Sequence, residues 1–350
     1  MTSDLAIAAA LLGGAGELPL APLEQVVVLG ELGLDGSVRP VRGVLPMVVA
    51  AARAGVTRVV VPLENAAEAA VVPGLRVRAA DSLHRLVAYV RDGAPLLEPP
   101  PAVPEPDTRG PDLADVSGQA YARRALEVAA AGGHHLALLG PPGGGKTMLA
   151  ERLPSILPPL DDDAALEVTA LHSIAGLLPP GGRLLRRPPV QAPHHTATGP
   201  SLLGGGPGLA RPGAVSLAHR GVLFLDEAAE YGRTALEALR QPLESGRVLL
   251  ARARGGTEYP ARFQLVLAAN PCPCAKPAGD TFCECTPLVR RRYLARLSGP
   301  LLDRIDIQVS VSPLGAGELL ECAPVSEPSE RVAARVSTAR LAATERWRRA

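Results

Sequence analysis

The chain has 350 residues, of which 47% are apolar and 20% charged, with a formal net charge of +1. This balance describes a globular chain with room for about two domains and excludes disordered, collagen-like and strongly basic proteins. Any nucleic-acid contact must therefore come from a local patch, since there is no global field. Among the 36 basic residues only Lys146 and Lys276 are lysines, so each invites a chemical explanation.

The apolar stretch 5–12 resembles the core of a signal peptide, but it follows Asp4 and no basic segment precedes it. A buried helix is the better reading. Valine-rich runs at 25–29 and 58–61 read as short buried strands, with a helical pattern over 44–54 that ends at Gly55. Val77 and then 82–90 repeat the strand-then-helix order, with Ser82 placed to cap the helix. A small α/β domain is expected over 1–94. Residues 95–111 hold seven prolines in 17 positions and form a semi-extended linker, because proline fixes φ and removes backbone donors.

Beyond the linker, apolar runs at 135–139, 222–225 and 264–268 alternate with helical segments, as in a parallel sheet covered on both faces. The first run leads into Gly140-Pro141-Pro142-Gly143-Gly144-Gly145-Lys146-Thr147, followed by a helix from Met148. This is G-x-x-x-x-G-K-[ST] in its required strand–loop–helix setting. Such glycines turn backbone N–H groups inward around phosphate oxygens, Lys146 would reach the β- and γ-phosphates, and the Thr147 hydroxyl would ligate Mg²⁺. The second run delivers Asp226 and Glu227 to the mouth of the sheet, the first to hold Mg²⁺ and the second to polarise the attacking water. The third ends at Asn270, which either orients that water or simply forms a turn before Pro271.

Five cysteines include Cys272, Cys274, Cys283 and Cys285, in a C-x-C…C-x-C pattern. They read as a Zn²⁺ site or as free thiols in a reducing cytosol, rather than as a disulfide scaffold. The paired His134-His135 and His194-His195 diverge on extended backbone and are expected to be structural or loop residues. A hairpin is expected where 248–256 returns through 259–262, turning at Gly255-Gly256 and carrying Arg252 and Arg254. No run reaches the ~18 apolar residues of a membrane span, and a cytoplasmic location is expected.

The order of further segments carries a resemblance. Gly118-Gln119, Arg124-Ala-Leu-Glu127 and Ala130-Ala-Gly-Gly-His-His135 precede the glycine loop. Ala192-Pro-His-His-Thr196, Arg211-Pro-Gly-Ala-Val-Ser-Leu-Ala-His219, Leu239-Arg-Gln-Pro-Leu-Glu244 and Leu301-Leu-Asp-Arg-Ile-Asp306 follow it. Together they resemble the magnesium-chelatase-like AAA+ ATPases of the ComM/YifB type over nearly the whole chain. The resemblance implies an α/β P-loop AAA+ core over 112–315, an ATP-hydrolysing motor, and a homo-hexameric ring. It also implies branch-migration or helicase work on DNA, associated with competence. Asn270 then matches the sensor position, and Arg304 the arginine finger that reaches the neighbouring subunit's ATP. Related replicative helicases place a basic residue on such a hairpin in the ring's pore, and Arg252 matches that position; with Arg254 on the same hairpin, basic side chains there would track phosphates without reading sequence, the alternative being an exposed hairpin solvated by its arginines. An insertion shaped as a hairpin is expected near 172–206.

Residues 30–43 resemble the family's Lon-protease-like domain, but Leu45 stands where a true Lon peptidase carries its catalytic lysine. No Ser–Lys dyad can form, and Ser3 is read as structural. Against the family pattern the chain starts partway into that domain. By the same resemblance, the arginine-rich helix at 329–349 is expected to belong to a C-terminal helical region beginning within 316–350, ahead of the family's lid. A chelatase-type metal-insertion motor and a nucleotide-binding scaffold without turnover are the competing readings.

Overall fold

A computed structural model of the chain describes residues 2–101, 110–179, 181–206, 210–251, 256–274, 276, 283–313 and 326–349. The chain divides into two units, Met1–Asp107 with Ala165–Leu185, and Thr108–Ala164 with Arg186–Ala350.

The first unit begins with α1 (Asp4–Gly14), β1 (Val26–Val28) and a short antiparallel hairpin of β2 (Glu31–Leu32) and β3 (Val38–Arg39). It continues through α2 (Val44–Arg53), β4 (Arg58–Pro62), α3 (Leu63–Ala69), β5 (Arg76–Ala80) and α4 (Leu83–Asp92). Strands β1, β4 and β5 pair in parallel in that order, with Val27 opposite Val59 and Val59 opposite Val77. The valine run of β4 is buried on both faces. Val59 and Val61 join one apolar cluster and Val60 the other, as the period of two requires. Ser82 caps α4 by accepting the Arg85 N–H at 3.3 Å, and Gly93 ends the helix with positive φ.

The second unit opens with α5 (Ala120–Gly132), β6 (Leu136–Leu139) and α6 (Lys146–Arg152), after which α7 (Asp162–Ala175) runs into the segment that groups with the first unit. Then come β7 (Val190–Gln191), α8 (Gly199–Leu203), β8 (Gly204–Gly205), β9 (Arg211–Pro212), α9 (Ala214–Leu217), β10 (Val222–Leu225), α10 (Arg233–Glu237) and α11 (Arg240–Ser245). The remaining elements are β11 (Arg247–Leu250), β12 (Thr257–Pro260), β13 (Gln264–Ala269), α12 (Pro287–Leu294), α13 (Gly299–Leu302), β14 (Ile307–Ser310) and a long helix α14 (Ser329–Arg349).

Five strands form an all-parallel sheet in the order β14-β6-β13-β10-β7. Alternation again divides their side chains between two cores. Leu223, Leu225, Leu265 and Leu267 face one, while Leu136, Leu138, Phe224 and Val266 face the other. Polar groups inside the sheet are matched. Gln264 Nε2 donates to the Ala129 and His134 carbonyls at 3.1 and 2.7 Å, and the Leu265 N–H donates to His135 Nδ1 at 3.0 Å. Burial lowers the His135 pKa, which suits a neutral ring accepting that bond.

From Ala165 to Leu185 the chain groups with the first unit. There Ser173 Oγ bonds to the Glu68 carboxylate, its carbonyl accepts the Gly43 N–H at 3.2 Å, and Leu166 and Ala170 join the core around Leu45. Among the described residues the expected hairpin near 172–206 is instead the end of α7, sheet strand β7 and α8, with only Gly204–Gly205 paired antiparallel to β9. Helix α14 is part of the second unit's core through Val332 and Val336. Ser329 ties it to the segment after the linker, donating its N–H to Asp112 at 3.0 Å and accepting from the Leu113 N–H at 2.7 Å.

Leu45 is fully buried in the first unit and Ser3 is exposed. Placing a lysine at 45 would bury an ammonium with no designed partner, at an effective cost of several kcal/mol. Leu45→Lys is expected to lower the urea midpoint of the first unit's unfolding sharply; an unchanged midpoint would show that the site can hydrate a charge.

Candidate nucleotide-binding site

The site lies at the carboxyl ends of three adjacent strands, β6, β13 and β10. Strand β6 leads into the loop 140–145. Gly143 and Gly145 have φ of +78° and +88°, a region that favours glycine. Gly140 is required for a different reason: a Cβ there would sit 2.0 Å from the Val311 carbonyl oxygen. Gln119 braces the loop from outside, its Nε2 donating to the Gly144 and Ser312 carbonyls at 3.1 and 2.6 Å. Gln119 is a supporting residue that the motif itself does not reveal.

Lys146 opens α6 and is buried. Its Nζ donates to the Gly140 carbonyl at 2.7 Å, the Pro141 carbonyl at 2.8 Å and Asn270 Oδ1 at 3.1 Å. Burial lowers its pKa, with the nearby carboxylates of Asp226 and Glu227 acting in the opposite direction. The three acceptors hold the ammonium where the loop surrounds it. Met148 lies in the first turn of α6, its terminal methyl beside Gly145. Pro142 and Gly144 complete the loop; the Gly144 N–H bonds to the Pro141 carbonyl at 3.3 Å.

Thr147 Oγ1 donates to Asp226 Oδ2 at 2.7 Å, so the hydroxyl and carboxylate named as Mg²⁺ ligands are already side by side. Asp226 Oδ1 accepts the Glu227 N–H at 2.8 Å, and Glu227 itself has φ of +49°. A left-handed non-glycine residue is costly and clusters at functional sites. The Glu227 carboxylate meets His195 Nδ1 at 3.1 Å. This changes the reading of the histidine pair: His195 touches the site, while His194 Nδ1 lies 2.9 Å from the Thr196 hydroxyl. Buried Tyr231 holds the same region by donating to the Pro193 carbonyl. Its pKa is pushed up to about 12 by burial and then by the Asp226 charge.

Thr147, Glu151, His195, Asp226 and Glu227 line a cleft of about 500 Å³. A larger cavity of about 620 Å³ elsewhere in the unit is lined by Arg220, Glu244, Arg262 and Arg340. Arg304 pairs with Glu244 at its rim, with both side chains partly exposed. The described stem of the β11–β12 hairpin is antiparallel, with Arg247 paired to Glu258 at 3.3 Å. Arg252 and Arg254 lie outside the described residues. The four clustered cysteines gather close together: Cys272 and Cys274 Sγ are 3.1 Å apart, and Cys283 lies 3.6 Å from Cys274. The Cys283 thiol is brought down to about 6, first by the Cys285 N–H and then against the opposing effect of burial.

A parallel sheet in this strand order, with a glycine loop after one strand and an Asp-Glu pair after another, defines a P-loop ATPase class of fold. Comparison with known proteins specifies the class. A family model described as magnesium chelatase, subunit ChlI, matches residues 112–319, and a second, subunit ChlI of Mg-chelatase, matches residues 2–65. The chain is 54% identical to an uncharacterized protein of Mycobacterium tuberculosis over 345 residues, 99% of this chain and 68% of that relative. It is 41% identical to YifB of Escherichia coli, across 96% of this chain and 66% of that protein. With competence protein ComM of Haemophilus influenzae it shares 40% identity, across 98% and 68%. The chain belongs to the ComM/YifB family of magnesium-chelatase-like AAA+ ATPases. Among the described residues no helix is long and apolar enough to cross a membrane.

Gly140→Ala is expected to push the backbone of 311 away and to disturb the bond from its N–H to the Leu139 carbonyl, 2.7 Å long. Overpacking of this kind costs about 1–3 kcal/mol. Urea unfolding should show a lower midpoint at unchanged slope; a wild-type midpoint would mean that the two strand ends move apart freely.

Proposed function

We propose that this chain binds and hydrolyses ATP and uses the energy as one subunit of a hexameric ring that moves on DNA. The observation that carries the reading is the convergence of Lys146, Thr147, Asp226 and Asn270 at neighbouring strand ends, linked by hydrogen bonds of 2.7–3.1 Å. The backbone of the glycine loop would wrap the phosphates, and Lys146 would exchange one or more of its present acceptors for phosphate oxygens. The residues fit Mg²⁺: Thr147 and Asp226 offer adjacent oxygens of the hard type this ion prefers. When bound, it supplies positive charge against the phosphate oxygens.

Glu227 would accept a proton from the attacking water, while Asn270, sharing a hydrogen bond with Lys146, would position that water against the terminal phosphate. His195 holds one oxygen of Glu227 and so fixes the direction in which the carboxylate presents its other. Arg304 would leave Glu244 for the nucleotide of the neighbouring subunit, where its fixed donors meet charge developing on the transferred group. The ring and DNA parts of the reading rest on family membership, on the relative named a competence protein, and on Arg252 and Arg254 as phosphate contacts. The family model's description as a chelatase subunit favours a second reading, a motor for metal insertion.

The deciding experiment is the rate of ATP hydrolysis with and without single-stranded DNA. Wild type should be stimulated by DNA. Lys146→Ala should lose about 10²-fold or more, since the ammonium stabilises transferring phosphoryl charge. The Arg252→Ala, Arg254→Ala double variant should keep basal turnover and lose stimulation and unwinding. Equal rates for wild type and Lys146→Ala would refute hydrolysis here; active but DNA-indifferent protein would favour the chelatase-type motor.

His195→Ala should reduce kcat by about 10-fold, the scale of an outer-shell positioning contact, and leave KM for ATP nearly unchanged. His195→Asn should restore part of the rate. A change confined to KM would place His195 in nucleotide binding instead.

A further inference from the structure

Cys272, Cys274, Cys283 and Cys285 form a site that the nucleotide reading does not use. Their sulfurs lie within 4.8 Å of one another, and the 272–283 separation of 3.4 Å joins the 3.1 and 3.6 Å distances above. All four are free thiols. Sulfurs in a disulfide sit about 2.05 Å apart, so none of these separations is a bond. Four sulfurs placed about 2.3 Å from a central ion, as Zn²⁺ holds them, stand about 3.8 Å from one another. The cluster is already near that size.

Hydrogen-bond donors face two of the four sulfurs. The Cys285 N–H and the Arg290 guanidinium donate to Cys283 Sγ, and the Cys274 N–H donates to Cys285 Sγ. Such donors and cations are what orient and stabilise sulfur ligands around a metal. Lys276 pairs with Glu284, which stands between the last two cysteines, and its ammonium lies near Cys274 and Cys283. This gives the second lysine of the chain a role. The donor set is all sulfur, which selects Zn²⁺ or iron over hard cations. Four protein ligands leave no open position, the mark of a structural site.

We propose that the four cysteines bind one Zn²⁺ as a closed structural site, and that the metal fixes the chain as it leaves β13. Cys272 lies two residues beyond Asn270, so anchoring it keeps the Asn270 carboxamide on Lys146. That consequence rests on the nucleotide-site reading; the metal site itself does not.

The test starts with metal analysis of the full chain, purified without chelator. About one zinc per chain is expected, the stoichiometry of a tetrathiolate site, and Lys146→Ala and Cys322→Ser, the latter at the fifth cysteine of the sequence, should keep it. The Cys274→Ser, Cys283→Ser double variant should lose it. Zinc well below stoichiometry in wild type, iron in its place, or zinc retained by the double variant overturns the proposal. Should that variant fold poorly, wild type stripped of metal and refilled with Co²⁺ gives a second readout. Thiolate-to-cobalt charge-transfer absorption is expected, and its absence overturns the site. Stripping should also weaken binding of a non-hydrolysable ATP analogue by about tenfold. Unchanged affinity in zinc-free protein overturns the tether to Asn270. No analogue binding by fully zinc-loaded protein contradicts the nucleotide reading and leaves the metal site standing.

Discussion

The second unit is organised around one buried ammonium. Lys146 is held by two carbonyls of its own loop and by Asn270, which enters from a different strand. An ammonium taken out of water is costly unless its donors are satisfied. Every element that supplies an acceptor must therefore arrive at the same place. The β6–β13 pairing, with Ala269 opposite Leu139, brings Asn270 and Gly140 to adjacent strand ends. A slip of one residue would turn the strand faces over and remove Asn270 from the lysine.

The same register explains the carboxylates. Strand β10 pairs with β13 on the side opposite β6, so Asp226 emerges next to the start of α6 and meets Thr147. The edge strand β7 leads into the His194-His195 segment, whose second histidine reaches Glu227. Strand order thus places the groups expected to bind phosphate, hold Mg²⁺ and direct water within one short region. Continuous apolar strands buried on both faces make that order rigid.

Much of this was legible in local sequence. The glycine loop, the run 222–225 and the helix 329–349 each carry their signal within a few turns, and the structure has strand β10 and helix α14 over those same residues. What could not be read depends on contacts between distant residues. Ser173 bonds to Glu68 across 105 positions, which is why 165–185 joins the first unit. His195 looked like a loop residue because nothing near it in sequence names Glu227. Asn270 reads from its own sequence as a water-orienting residue or a turn former, and its 3.1 Å bond to Lys146 comes only from the pairing of distant strands. Nothing in the sequence beside Lys276 names Glu284 as its partner or the cysteines as its neighbours.

The central claim is that the enclosure around Lys146 is a nucleotide site. Calorimetric titration of the chain with Mg²⁺ and a non-hydrolysable ATP analogue tests it most directly, beside Lys146→Met, which keeps the side-chain bulk and removes the charge. Saturable binding of one nucleotide per chain in wild type, lost in Lys146→Met, is the predicted result. Equal binding by the two proteins, or none by either, would contradict it.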